Sequence, residues 1–302
     1  MRFANAAPDW ELQALDVRTW RSRLASLADF LRCDVWYTIG TGKATVWFEV
    51  LAFLMSKPRV VHWVGSDITA LGRFAPYRLL WRMRRRRTTH VAEVDWTARE
   101  LAGYGLDAQT ISLPLHLGVG PPASLPSVFT VLLYIPAGAE AFYGVEQYEH
   151  LIASCRDLPI TFIVVGGGRV RADGNDRVKQ LPWIETSEQL DEAYERSTVL
   201  IRMTPRDGLS CMVLEALSRG RHVVWSKPFQ GAHYAATFDD ARSYLMTLYE
   251  RFRTNKLEPQ TDAAAFIQAN YDSENSVRAL SAHWSSLLLS PAGRRQVAKD
   301  AL

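Results

Sequence analysis

Cysteine is scarce in this chain, and metal-ligand spacing is missing. Only Cys33, Cys155 and Cys211 occur in 302 residues. That odd number, without a C-x-x-C pair, excludes a disulfide-stapled scaffold and a zinc ribbon and suits a reducing, cytoplasmic compartment. Long apolar runs are missing as well. VWFEVLAFLM, from Val46 to Met55, is interrupted by Glu49 and too short to span a bilayer, and no signal-peptide pattern opens the chain. No G-x-S-x-G, phosphate-loop lysine motif or H-E-x-x-H is found, so serine hydrolase, P-loop ATPase and zinc-protease chemistry lack their residues. Neither internal repeats nor low-complexity tracts occur. What remains is a foldable globular composition, 48% hydrophobic and 22% charged, long enough for two domains of about 150 residues each.

The most informative stretch runs from Arg202 to Gly231, RMTPRDGLSCMVLEALSRGRHVVWSKPFQG. Before it, STVLIRM is a β-branched run suited to a buried parallel strand, and TPRDG is the turn that follows. Asp207 is expected to cap a helix from about Leu209 to Arg219, in which Met212, Leu214 and Leu217 are apolar. Gly220 is its left-handed stop, and HVVW begins the next strand. The N–H groups of Gly208, Leu209 and Ser210 would point at an anion, favoured there by the helix dipole. Asp207 and Glu215 stand eight residues apart, so both carboxylates could face one crevice, one reaching a sugar and the other a ribose.

The segment DGLSCMVLE resembles the donor signature of GT-B glycosyltransferases of family four, in which two Glu separated by seven residues surround a nucleotide sugar. Here Asp207 takes the place of the first Glu, with a side chain about one methylene shorter. The resemblance implies an α/β fold of two Rossmann-like, doubly wound domains facing a cleft. It further implies a UDP- or GDP-sugar as substrate, no cofactor, no metal, and retention at the anomeric carbon. Family members also carry an Arg and a Lys for the diphosphate after the first strand of the second domain. PAGAEAFYGVEQ has neither, which leaves Arg206 and Lys227 as the nearest cations.

Around that stretch the order is β-α-β throughout. The Pro- and Gly-rich GVGPPASLP is the best linker, so residues 1–122 are expected to form an acceptor-side domain and 123–302 a donor domain with the carboxyl-terminal helices. In the donor half come a strand SVFTVLLYIPAG, a helix YGVEQYEHLIASC, a strand ITFIVVGGG, a short strand ending LPWI, and a helix SEQLDEAYERS. By the resemblance, Gly166, Gly167 and Gly168 and the backbone near Trp183 and Ile184 line the nucleotide.

In the amino-terminal half, CDVWYTIGTG reads as strand and glycine turn, ATVWFEVLAFLMS as helix, RVVHWVGSD as strand and loop, and HVAEVDWTARELAGYGL as strand and helix. TISLPL closes it. Its opening, MRFANAAPDWELQALD, holds at most a shortened strand, so this domain is expected to be reduced. The resemblance points to His62, Ser66 and Asp67 on the acceptor side, with Gly40 and Gly42 as close-approach positions, because open α/β sheets place ligands at the carboxyl ends of strands. His62 and Asp207 are the catalytic candidates.

Between Arg73 and Arg87 the chain gathers seven Arg among aromatic and aliphatic residues. A basic amphipathic helix there suits an anionic membrane surface and a lipid-linked acceptor; no nucleic-acid motif accompanies it. The expected function is sugar transfer from a nucleotide-diphosphate donor to a sugar or lipid-linked acceptor, suited to cell-surface polysaccharide or glycolipid synthesis, by a protein peripheral on the inner face of the membrane. The alternatives are a weakly active or inactive paralogue serving as a partner protein, and a sugar-nucleotide epimerase on the same fold.

Overall fold

The computed structural model describes residues 10–15, 17, 19–40, 45–73, 88–115, 117, 122–172 and 174–288. The chain divides into two compact units, one formed by residues up to Leu115 together with those from Tyr271 onward, the other by His116–Asn270.

The first unit holds a parallel sheet of β1 (Trp36–Ile39), β2 (Arg59–Trp63), β3 (Thr88–Ala92) and β4 (Ala108–Thr110), in that spatial order. Because the strands follow sequence order and parallel crossovers are right-handed, α3 (Val46–Leu54), α4 (Ile68–Arg73) and α5 (Asp95–Gly103) share one face. Side chains agree. Val61, Trp63 and Ala92 pack with Ile68, Leu71 and Leu101 on that face, while Phe48 and Ala52 of α3 pack with Trp36 and with Phe30. Phe30 belongs to α2 (Leu27–Arg32), which follows the short α1 (Trp20–Ala25); neither helix is evident in the sequence.

The opposite face, through Val60, Val91 and Ile111, is covered by Leu280 and Trp284 of a last helix (Ser273–Leu288). This helix was expected with the donor half. It packs instead on the first sheet, where His283 bridges Thr89 and Gln109 at 2.8 and 2.9 Å and Ser276 meets Ser112 at 2.9 Å. Its apolar stripe Val277, Leu280 and Trp284 is what the exposed β-branched face of the sheet lacks.

The second unit is a six-stranded parallel sheet, ordered β10 (His233–Tyr234), β9 (His222–Trp225), β8 (Val199–Arg202), β5 (Thr130–Tyr134), β6 (Thr161–Val165), β7 (Val178–Gln180). The central strands are buried along their length, as near-continuous runs such as TVLLY and VLIR require in a sheet covered on both faces. The helices are α6 (Val145–Ser154), α7 (Ser187–Glu195), α8 (Cys211–Ser218), α9 (Phe238–Arg253) and α10 (Thr261–Asn270), which makes the helix on the first sheet α11. A cluster of Phe129, Tyr148, Leu151, Phe162, Leu245 and Tyr249 binds β5 and β6 to α6 and α9.

Candidate functional site

The order of the second sheet fixes where a ligand belongs. From β5 the chain steps outward to β6 and β7, then returns to the other side of β5 as β8. The strand order therefore reverses between β5 and β8, and in open α/β sheets the crevice at the carboxyl ends of such a pair is the binding position.

At that point lies Arg202, the last residue of β8. Its Nε donates to Asp207 Oδ2 at 2.5 Å and its Nη2 to Oδ1 at 3.0 Å, a bidentate pair with both side chains about nine-tenths buried. The guanidinium carbon stands 5.8 Å from the ring centre of Tyr134, the last residue of β5, and 5.4 Å from that of Tyr143. Burial alone would draw the guanidinium down, but Asp207 outweighs it and holds the charge firmly. Trp225 Nε1 also donates to Asp207 Oδ2, at 3.1 Å. Both oxygens of Asp207 are thus engaged within the fold.

The glycine run after β6 is welded to the end of β5. Ile135 donates to the Val165 carbonyl at 2.8 Å, Gly168 to the Ile135 carbonyl at 2.9 Å and Ala137 to the Gly166 carbonyl at 3.0 Å. Here glycine is demanded by space: a Cβ on Gly168 would lie 2.5 Å from the Ile135 oxygen, and one on Gly166, whose φ is +105°, 2.8 Å from it. A Cβ on Gly167 would stand 3.5 Å from the Trp183 nitrogen. The run and the Trp183–Ile184 segment, expected to line a nucleotide, are therefore neighbours. Trp183 is 59% exposed and Ile184 half-buried.

One expectation about the next helix is corrected. Asp207 does not cap it; Ser210 does, its side chain accepting from Val213 N at 3.4 Å, and α8 begins at Cys211. The cause is the turn TPRDG, which sends Asp207 back to Arg202 instead of forward. The first-turn amides are accordingly those after Ser210, while Gly208 and Leu209 are buried ahead of the helix. Thr204 N donates to Ser226 Oγ at 3.2 Å and Ser226 Oγ donates to Thr204 O at 2.8 Å, joining the loop that carries Arg206 to the one that carries Lys227; Arg206 and Lys227 are both partly exposed.

Glu215 sits on the second turn of α8, half-buried, and accepts from the Tyr194 hydroxyl at 2.6 Å. Burial pushes its carboxyl up; Tyr194 and the Arg219 guanidinium oppose that, and Asp191 adds to it. Arg219 pairs with Asp191 of α7 and lies over the Tyr194 ring. Asp207 and Glu215 therefore answer to different neighbours, β8 and α7 respectively.

In the first unit, Gly40 (φ +67°), Ser66 and Asp67 gather at the carboxyl ends of β1 and β2. Gly40 N donates to the His62 carbonyl at 2.8 Å, a Cβ on Gly40 would lie 3.9 Å from Asp67 Oδ2, and Val64 N donates to Asp67 Oδ1 at 3.2 Å. Ser66 is exposed and Asp67 buried. Gly42 lies outside the described residues. His62, expected to face a ligand from a strand end, is 0% exposed, with Nδ1 2.7 Å from the Tyr37 hydroxyl. It falls on the α11 side of β2, where burial pulls its imidazole down to about 4. With no surface of its own, this side chain packs; it does not offer a base. Among the described residues no three His, Cys, Asp or Glu are placed to hold a metal ion.

Arg202, Tyr143, Tyr194 and Trp225 were not expected at a site. One signal was available: an Arg ending the otherwise apolar VLIR, five residues before an Asp.

No family model matches the sequence, and no curated protein matches it. Solved structures do match. Sucrose-phosphate synthase from Thermosynechococcus elongatus superposes with a TM-score of 0.69 at 13% identity, covering 93% of this chain and 82% of that one. An S. aureus TarM mutant in complex with fondaparinux, α-GlcNAc-glycerol and UDP gives 0.64 at 12%, over 84% and 55%. The pneumococcal O-GlcNAc transferase GtfA in complex with UDP and GlcNAc gives 0.63 at 12%, over 87% and 60%. The chain thus spans little more than half the length of the TarM structure. At such identities the likeness is one of fold, and that fold is the Rossmann-like GT-B arrangement of two parallel α/β domains.

Proposed function

We propose that this chain is a glycosyltransferase that takes a sugar from a nucleoside-diphosphate donor, UDP- or GDP-linked, held at the carboxyl ends of β5, β6 and β8. The observation that carries this reading is the reversal of strand order between β5 and β8, with the glycine run following β6 and the loops that carry Arg206 and Lys227 following β8 and β9. The UDP named in the TarM and GtfA structures supports the choice of donor class. Glu215, aimed by Tyr194, accepts the ribose hydroxyls; the Trp183–Ile184 segment faces the base. Arg206, Lys227 and the first amides of α8 offset the diphosphate charge without a metal. Gly40, Ser66 and Asp67 belong to the acceptor side, and retention follows from the family-four likeness of DGLSCMVLE.

The engagement of both Asp207 oxygens by Arg202 and Trp225 favours a second reading, a protein that binds the nucleotide sugar without turning it over. One experiment separates them. Titrating UDP, GDP and their sugars while following thermal unfolding should raise the melting temperature by several degrees at about a hundred times Kd, and Glu215→Gln should weaken the nucleotide about tenfold. Release of nucleoside diphosphate on adding acceptor then marks the transferase; binding without release marks the second reading. If no nucleotide stabilises the protein, both fail.

A further inference from the structure

Three strands of the second sheet end on side chains that share one face. Tyr134 closes β5, Arg202 closes β8 and Trp225 closes β9. Arg202 stands opposite Trp225 in the register, and Leu133 stands opposite Ile201 one step earlier, so by the alternation of strands the three project from the same side. The row continues to the glycine run, because a Cβ on Gly166 would lie 3.0 Å from Tyr134 Cε2. From the other face, Tyr148 of α6 fixes the backbone on either side of Arg202: its hydroxyl accepts from Met203 N at 2.8 Å and donates to the Ile201 carbonyl at 3.2 Å. Arg202 is thus placed by the sheet itself.

Asp207 takes the Nε–Nη2 edge of that guanidinium, which leaves the Nη1 end of the fork unclaimed by the carboxylate. Tyr134 and Tyr143 flank the plane. A charged pair is a costly way to end an apolar strand. Burial opposes the guanidinium charge, and a buried ion pair generally stabilises no better than apolar side chains of similar volume. Val199, Leu200 and Ile201 precede Arg202, and a Met in its place would pack against the same aromatic rings. What calls for a cation at this position is an anionic ligand. The surroundings supply few others: the loop after β5, residues 136–144, carries Glu140 and neither Lys nor Arg, and Arg206 and Lys227 are partly exposed side chains on loops.

We infer that the Nη1 end of Arg202 binds the diphosphate of the donor. The carboxyl ends of β5 and β8 are where the strand order reverses and a ligand belongs. Tyr134 and Tyr143 hold the guanidinium plane, Asp207 fixes its rotation through the opposite edge, and the flat fork meets two phosphate oxygens at once, as an ammonium does not. The inference rests on the nucleotide reading above and holds whether or not the sugar is then transferred.

The test is calorimetric titration of UDP or GDP, whichever stabilises the parent, and of the matching nucleoside by competition, at a temperature where circular dichroism shows each variant folded. The ratio of the two affinities reads the diphosphate contact. Asp207→Asn keeps Arg202 between its two rings, and its ratio should stay within about threefold of the parent's. Adding Arg202→Met to Asp207→Asn should cut the ratio about tenfold or more, because a hydrogen bond between charged groups is lost, while nucleoside affinity is retained. Arg202→Lys keeps a charge for Asp207 and so the fold, and it too should lower the ratio severalfold, since an ammonium held by the carboxylate presents no second edge. If the double variant keeps the ratio of Asp207→Asn, or Arg202→Lys keeps that of the parent, the inference is overturned. It is overturned as well if Asp207→Asn alone loses as much as the double variant, which would make the carboxylate the ligand's partner. A parent that binds neither UDP nor GDP removes the donor reading and this inference together; a parent that binds, with variants that do not differ from it, removes this one alone.

Discussion

Arg202 and Asp207 illustrate how a donor-like signature can be diverted by one neighbour. The spacing DGLSCMVLE resembles a donor motif, and Glu215 lies on the second turn of α8. What the sequence did not disclose is that an Arg at the end of β8 would claim the carboxylate at its head, because that contact depends on where the turn TPRDG points. Asp207→Asn should therefore act on stability first. Leaving a guanidinium nine-tenths buried without its counter-charge costs about 3–5 kcal/mol, read as a lower urea midpoint. Arg202→Met in the same chain should recover part of that loss, and a strictly additive double variant would refute the coupling. A second residue-scale expectation concerns pH. His62, His90 and His222 are each drawn down to about 4, burial being the main cause. Their folded values lie below the ordinary 6.5, so the unfolded chain takes protons that the folded one refuses. Stability is fully present above about pH 6.5 and falls progressively toward pH 4. Melting temperatures measured across that interval should drop, and replacing His90 with Gln should flatten part of the slope.

Elements were easier to read than contacts. The strands VWYTI, RVVHW, TVLLY, TFIVV, VLIR and HVVW are β-branched or aromatic runs and appear as β1, β2, β5, β6, β8 and β9. Two-residue β10 and the six-residue α1 and α2 carry too little periodicity to stand out, and the basic stretch beyond Arg73, read as an amphipathic helix, lies outside the described residues. The N-cap of α8 lies three residues beyond the expected Asp207, since Asp207 and Ser210 are both good caps and Arg202 claims the Asp207 carboxylate. Ser210→Ala should accordingly cost about 1 kcal/mol, whereas replacing Ser66, outside any cap, should cost less than about 0.5 kcal/mol. The glycine run offers a sharper case. Gly168→Ala brings a Cβ to 2.5 Å from the Ile135 oxygen, so the loop after β6 must shift. Nucleotide-induced stabilisation should shrink severalfold in this variant while its secondary structure by circular dichroism is retained; normal nucleotide binding would show that the run is not part of the pocket.

At the scale of the whole chain, α/β class and two-part organisation could be read from alternating runs and the GVGPPASLP linker, but the place of the last helix could not. Nothing in SENSVRALSAHWSSLL says which of two parallel sheets its stripe will cover; that depends on which sheet is left bare, and the first is. A chain ending at Asn270 should leave Val60, Val91 and Ile111 exposed, so the first unit should unfold at a markedly lower temperature while the second retains its own transition. A consequence concerns synthesis. On the ribosome, the strands of the first unit emerge well before the helix that closes them, separated by the whole of His116–Asn270. At ordinary translation rates that interval lasts roughly 8 to 30 s, long enough for the second unit to fold in between. The part made first is then the part completed last, and until α11 arrives its bare sheet face is the nascent chain's exposure to chaperones.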